Sequence, residues 1–258
     1  MSNSKGLTTQ EAMLLELSEA SEKLDEFLRW DDSVYEEYEK MLNHLEDTNG
    51  KPKHECSNDE KKKALEDIVT FLIIKTNLFE VYGDVHTGTS EVDQVVVRNR
   101  MSKLAEAKYG ITPKVLEIDS DMFLCECKNY KGSVSGTWVG KFNTIMDVCG
   151  TCKVGILFSV CGLSGKEETW DDGHGMRKII YNLSSLSKGQ EKYILDFNIN
   201  DFKIILDSRY NDKPLNFIEI IRKKKIALTV GSKIKFLYES HDNEDNLKEL
   251  INKYNKEQ

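Results

Sequence analysis

The sequence predicts an α/β protein in which a central mixed β-sheet is flanked by helices. Lys153–Val160 contains a continuous apolar run, as expected for a strand that is covered on both faces. A second strand is predicted at Met122–Lys128, and Thr137–Cys149 between them has helical spacing of its apolar residues. A strand, a helix and a strand joined by short connections imply a right-handed parallel crossover.

Composition and length suit a globular protein. The chain has 258 residues, of which 39% are apolar and 31% are charged. No apolar run approaches membrane-spanning length, and the first residues lack the apolar core of a signal peptide. We therefore expect a cytoplasmic protein with no membrane partner.

The acidic charge is confined to the N-terminal part of the chain. The net charge is −8, and residues 1–50 contain 13 acids and 4 bases. The remaining residues are close to neutral, so they can present local basic patches to a nucleic acid.

Residues 8–46 read as helical, because apolar residues recur there at alternating spacings of three and four. The motifs Thr8-x-x-Glu11 and Ser33-x-x-Glu36 are typical of helix starts, which favours two consecutive helices. This segment is either an arm for dimerisation or partner docking, or an amphipathic helix pair packed on its own domain. Asp47–Ser57 is polar and contains Gly50 and Pro52, which is typical of a linker.

The linker divides the chain into an acidic helical arm (1–50), a main domain (51–235) and a charged C-terminal helix (236–258). In the main domain, Ser57-x-x-Glu60 begins a helix, and Gly110 is suited to a left-handed helix end. The remaining predicted elements are the hairpin strands Leu78–Val85 and Val92–Val97, the strand Lys192–Phe197, and the helices Arg98–Tyr109, Asp172–Leu186, Asn200–Ser208, Leu215–Leu228 and Glu244–Tyr254.

The six cysteines are interpreted mainly as small buried residues. Cys125-x-Cys127 and Cys149-x-x-Cys152 also invite a zinc or iron–sulfur interpretation. Because Cys125 falls inside a predicted strand with no second pair of ligands in a flanking loop, that alternative is disfavoured.

Acidic and basic residues follow two of the predicted strands. In an extended Met122–Lys128, Glu126 and Lys128 project from the same face, and Asp93 stands at the start of the strand Val92–Val97. Magnesium prefers oxygen ligands, so Asp93, Glu126 and the carbonyl of Cys127 could hold it. Lys128 could then orient a water molecule and stabilise transition-state charge.

This D…E-x-K arrangement resembles the PD-(D/E)xK nuclease superfamily and, within it, the Mrr-like restriction endonucleases. The segments Gly88–Asp93 and Val154–Ser164 are similar to the turns and strand of that family. The similarity covers residues 60–165 and extends more faintly to about 230. Val92 stands where the proline of the family motif would be.

The resemblance implies a restriction-endonuclease-like fold and Mg²⁺-dependent hydrolysis of DNA in restriction or anti-phage defence, with Mn²⁺ as a substitute metal. It also implies an acid on the first core helix, which matches Glu66, with Asp67 as the neighbouring option. Three lysines near the site in sequence are candidate phosphate contacts: Lys131, Lys141 and Lys153.

Other interpretations stay open. The fold could serve a catalytically inactive module that binds nucleic acid or a partner protein, or a nuclease acting on RNA. The N-terminal segment and the need to cut two strands favour a homo-oligomer. His174 is expected in an exposed glycine turn, and the basic run Arg222–Lys225 on the surface of a helix. Ser159 and Cys161 have no partner base nearby in sequence, so nucleophilic catalysis has no support.

Overall fold

The computed structural model describes residues 21–230, except residues 53, 88–89, 130, 151, 168 and 188. Residues 21–28 are helical. The helices that follow are α1 (Asp32–Gly50), α2 (Asn58–Ile74), α3 (Arg100–Tyr109), α4 (Gly136–Val148), α5 (Asp172–Ser185), α6 (Ile199–Asp207) and α7 (Phe217–Val230), with a 3₁₀ turn at Ser208–Tyr210. The strands are β1 (Phe79–Thr87), β2 (Ser90–Arg98), β3 (Met122–Lys128), β4 (Val154–Ser159) and β5 (Tyr193–Phe197).

These strands form one mixed sheet in the order β1-β2-β3-β4-β5. The pairs β1–β2 and β2–β3 are antiparallel, and the pairs β3–β4 and β4–β5 are parallel. A helix connects the strands of each parallel pair, as parallel pairing requires. The predicted α/β class is confirmed, with its central mixed sheet, its hairpin and its parallel pair β3–β4.

Side chains of β3 alternate between two apolar clusters. Phe123, Cys125 and Cys127 belong to the larger cluster, to which α1, α2, α6 and α7 contribute. Leu124 belongs to the smaller cluster, which contains residues of α4. Because helices cover both faces, β4 is buried along its whole length, which explains its continuous apolar sequence. Cys125 and Cys127 are thus core residues with free thiols.

Helix α1 is part of the main core. Tyr38, Leu42 and Leu45 are buried in the larger cluster, and the Tyr38 hydroxyl donates a buried 3.0 Å hydrogen bond to the carbonyl of Phe202 on α6. Of the two alternatives, the described part of the N-terminal segment is therefore the amphipathic helix packed on its own domain. The predicted boundary at residue 50 cuts through this core. Residues 1–20, with the Thr8 cap, lie outside the described residues.

The ends of three helices can be compared with the capping residues that the sequence predicts. The N-cap of helix α1 is Asp31, not Ser33, because the Asp31 carboxylate accepts hydrogen bonds from Val34 N–H and from the Ser33 hydroxyl. The capping box at Ser57 and the left-handed Gly110, with φ of 71°, are both present as predicted. Helix α1 also runs through Gly50, so the predicted linker begins later than expected.

The later elements match their predicted positions within about two residues. The predicted helix Glu244–Tyr254 lies outside the described residues. None of the helices in residues 21–230 combines the length and apolar character needed to cross a membrane.

Candidate active site

Asp93 and Glu126 lie next to the last paired residues of two neighbouring strands. The β2–β3 pairing reaches Gln94 and Cys125, and the next residues along the strands are Asp93 and Glu126. Both acids are almost completely buried, with 7% and 6% of their surface exposed. Two acids 33 positions apart in sequence are thus brought together where β3 approaches its carboxyl end.

Next to Glu126, the Asp93 carboxylate takes the place of a main-chain carbonyl as the acceptor for a backbone N–H of β3. Its Oδ2 accepts a 2.8 Å hydrogen bond from Cys127 N–H. In an extended strand the N–H and C=O of one residue project to the same edge. The Cys127 carbonyl is therefore directed toward the Asp93 side, where the sequence analysis placed a third metal ligand.

Lys128 ends β3 beside both acids. Its ammonium group forms an ion pair with Glu126 Oε1 and lies 3.7 Å from Asp93 Oδ2. The same Nζ lies 5.0 Å from the ring centre of Trp138 on α4. Cation–π attraction and the two acids together hold the ammonium group of Lys128.

Helix α2 contributes Glu66 and an unpredicted residue, Lys62. The Lys62 Nζ lies 3.2 Å from Glu66 Oε1 and 3.2 Å from Asp93 Oδ1, so it links the helix to β2. The predicted helix acid is therefore at the site, whereas its neighbour Asp67 is exposed. The i,i+4 spacing of Lys62 and Glu66 was visible in the sequence, but nothing there indicated that Asp93 completes the contact.

Burial alters the protonation of the acids in the site. Burial, together with repulsion from Asp93, raises the pKa of Glu126, although Lys128 opposes the shift. Burial also raises the pKa of Glu66, against the attraction of Lys62. For Lys62, burial alone would lower the pKa, but the attraction of Asp93 and the hydrogen bonds to Glu66 and Asp93 outweigh it and raise the pKa. Lys62 is therefore a permanent positive charge at neutral pH.

The residues fit a hard divalent cation by their chemistry. Among the described residues, no hydrogen-bond donor reaches the buried Glu126 Oε2, which is an oxygen available to a cation. With Asp93 and the Cys127 carbonyl it would supply three oxygen ligands, and Mg²⁺ commonly retains water in its other positions. No group of three or more His, Cys, Asp or Glu side chains arranged for a metal occurs in the described part of the chain. The fit therefore depends on two carboxylates and a main-chain carbonyl.

The three lysines predicted to contact phosphate do not lie together. Lys141 lies beside the site, with its Nζ 4.6 Å from the ring centre of Trp138, and Lys131 is exposed three residues after the end of β3. Lys153 instead precedes the start of β4, roughly 20 Å along the strand from the edge where Lys128 lies, at ~3.3 Å per residue. The expected closeness of Lys153 to the site was wrong, because the opposite ends of a strand are close in sequence but far apart in space.

The other sequence candidates have structural partners. In the run Arg222–Lys225, Lys224 is buried against Asp196 and Asp201, and Lys225 pairs with Glu117 and Asp119. The surface interpretation was thus wrong for these two lysines.

His174, expected in an exposed turn, is partly buried in the first turn of α5, 3.1 Å from an Arg177 nitrogen. Burial lowers its pKa. The imidazole therefore contributes to packing around Arg177.

Comparison with protein-family models, with curated proteins and with solved structures finds no match.

Proposed function

We propose that the chain is a Mg²⁺-dependent deoxyribonuclease with a restriction-endonuclease-like fold of the PD-(D/E)xK type. One observation carries the proposal: Asp93 and Glu126 form a buried pair on adjacent strands, and Lys128 contacts both. Buried charges are costly unless they are paired or bind a metal, so two buried acids beside a lysine favour a site that holds a cation. The mixed sheet and Glu66 on the preceding helix agree with this proposal.

In the proposed reaction, Asp93, Glu126 and the Cys127 carbonyl would hold the metal. A bound Mg²⁺ would lower the pKa of water and offset the charge that develops on the scissile phosphate. Lys128 directs the attacking water in line with the leaving oxygen and donates hydrogen bonds to the charged transition state. Glu66 contributes a further carboxylate at the edge of the site. Trp138 helps to hold the ammonium group of Lys128 in place.

DNA is the proposed substrate, and a role in restriction or anti-phage defence is part of the proposal. Lys131 and Lys141 extend positive charge outward from the site, where a phosphate backbone would lie. RNA offers the same phosphodiester chemistry, so substrate choice needs a direct comparison.

The rival function is a catalytically inactive module that binds nucleic acid. The observation favouring it is that both acids already have lysine partners, so their charges are balanced without a metal. A module of this kind would bind DNA through its surface lysines and would leave the strands intact.

To test the proposal, the purified chain is incubated with supercoiled plasmid, linear duplex DNA or single-stranded RNA. Each substrate is tested in the presence of Mg²⁺, Mn²⁺ or EDTA. We expect metal-dependent loss of supercoiled DNA, and no cleavage by an Asp93→Asn/Glu126→Gln double variant. Binding without cleavage under all metal conditions would favour the inactive module. Cleavage of RNA alone would assign the site to a ribonuclease.

A further inference from the structure

Lys62 makes two contacts with acids of the candidate site. Its ammonium group is equidistant, at 3.2 Å, from Glu66 Oε1 and Asp93 Oδ1. Asp93 is also a proposed metal ligand, so an ammonium group bound to its carboxylate competes with the metal for it. Asp93 Oδ1 is at the same time the carboxylate oxygen that is not engaged with Cys127 N–H.

The Lys62 side chain can move away from the acids more easily than the Lys128 side chain can. The Lys62 side chain is 41% exposed, whereas that of Lys128 is 13% exposed. Lys62 lies near the start of α2 and reaches the site from solvent, so its ammonium group can turn outward without disturbing the helix. Lys128 lies at the end of a central strand and is also held by Trp138.

The charge balance of the site favours this exchange. Three carboxylates (Glu66, Asp93 and Glu126) face two ammonium groups (Lys62 and Lys128), which leaves one excess negative charge. A divalent cation added beside both lysines would leave an excess positive charge in a partly buried site. If Lys62 withdraws as the cation enters, the charges cancel.

We propose that Lys62 is an internal cation that neutralises Asp93 and Glu66 in the metal-free protein and leaves Asp93 when the metal binds. This inference rests on the proposed metal-dependent function. Lys62 then sets the metal affinity of the site: each binding event must break its ion pair with Asp93. Lys128 stays in place throughout.

The matched variants are Lys62→Met and Lys63→Met. Lys63 is the next residue of α2 and is exposed, so its replacement removes the same charge without touching the site. Mn²⁺ binding to the full chain without DNA is measured by calorimetry and by loss of the free-ion EPR signal. Because Lys62 is itself 41% exposed, its ion pairs have modest free energies, and we expect Lys62→Met to bind Mn²⁺ roughly three- to tenfold more tightly than wild type. Lys63→Met should stay within about twofold, the effect of one distant, screened charge.

Thermal unfolding gives a readout that does not involve activity. Without metal, Lys62→Met should unfold at a lower temperature than Lys63→Met, because the acids lose a counter-ion. Saturating Mn²⁺ should raise the unfolding temperature of Lys62→Met more than that of wild type, because a ligand stabilises the state that binds it more tightly. Lys62→Gln, which keeps a polar end group, is measured alongside in case the methionine variant folds poorly.

The outcomes separate this inference from the proposed function. Wild type that binds Mn²⁺ with the same affinity as Lys62→Met, or more tightly, overturns the role of Lys62 and leaves the nuclease proposal standing. Binding by Lys62→Met but not by wild type supports the inference in its strongest form. No binding by wild type or by either Lys62 variant overturns both proposals.

Discussion

Asp93 and Cys127 are joined by a 2.8 Å hydrogen bond in which the backbone N–H of Cys127 donates to Asp93 Oδ2. A proposed metal ligand therefore also completes the main-chain hydrogen bonding of β3. Because Asp93 has both roles, different substitutions at this position can separate its effect on stability from its effect on catalysis.

Asp93→Ala and Asp93→Asn should differ in stability but not in activity. Both remove the charge, so we expect both to abolish Mn²⁺ binding and cleavage. Alanine also leaves the buried Cys127 N–H without an acceptor, at a cost of about 1–3 kcal/mol, whereas the amide oxygen of asparagine can replace the carboxylate. Urea unfolding in EDTA measures the difference. Equal free energies of unfolding for the two variants would contradict the structural role of the hydrogen bond.

The variants Lys128→Ala and Lys141→Ala distinguish the roles of two lysines whose ammonium groups both lie near the Trp138 ring. The ammonium groups lie 5.0 Å (Lys128) and 4.6 Å (Lys141) from the ring centre of Trp138, but of these two lysines only Lys128 forms ion pairs with the site acids in the described part of the chain. Lys128→Ala should lower the cleavage rate roughly 100-fold or more while Mn²⁺ binding persists. Lys141→Ala should instead weaken DNA binding and reduce its salt slope by about one.

Single-turnover cleavage at saturating DNA and binding isotherms at several salt concentrations give the two readouts. A similar fall in the cleavage rate for both variants would mean that Lys128 acts only as a surface charge.

The sequence was informative wherever a residue pattern is local. Strand β3 was predicted with its observed bounds, and the cap at Ser57 and the left-handed Gly110 were both predicted, because each depends on residues a few positions apart. Asp93 and Glu126 were paired through a resemblance, and the register of β2 and β3 now gives the physical reason for their proximity.

The sequence was uninformative where a contact joins distant elements. Lys62 reaches from α2 to β2, and no local pattern reports the direction of a lysine on an amphipathic helix. Lys153 was misplaced because closeness in sequence was taken for closeness in space. Lys224 reads as part of a surface run, yet it is buried because Asp196 and Asp201 compensate its charge.

His174 predicts a pH dependence of stability that is independent of the active site. Burial lowers its pKa in the folded protein, so the unfolded chain binds a proton more readily. The free energy of unfolding should therefore fall as the pH drops below the ordinary histidine pKa of about 6.5 and should level off above it. In the folded state, Asp196 and Glu167 attract a proton to the ring, whereas Arg177 and Lys224 repel it.

Urea unfolding between pH 5 and 7.5 tests this for wild type and His174→Asn, with His54→Asn as the control. His54 is largely exposed, so its replacement should leave the pH dependence unchanged. His174→Asn should flatten the slope below pH 6.5. If the free energy of unfolding of His174→Asn changes with pH as steeply as that of wild type, groups other than His174 cause the pH dependence.

Helix α1 differs most from its sequence-based prediction, because the sequence sets residues 1–50 apart as an arm whereas the structure packs α1 into the core. A chain that begins at residue 51 lacks Tyr38, Leu42 and Leu45, which pack in the same cluster as α2 and β3. We expect this truncated chain to show no cooperative unfolding transition. In the full chain, Leu42→Ala should lower the free energy of unfolding by about 2–5 kcal/mol, because it leaves a cavity in the core. Glu39→Ala, on the exposed face of the same helix, should change it by about 0.5 kcal/mol or less. A folded, metal-binding 51–258 fragment would instead establish residues 1–50 as a separable arm, because it would show that the core closes without α1.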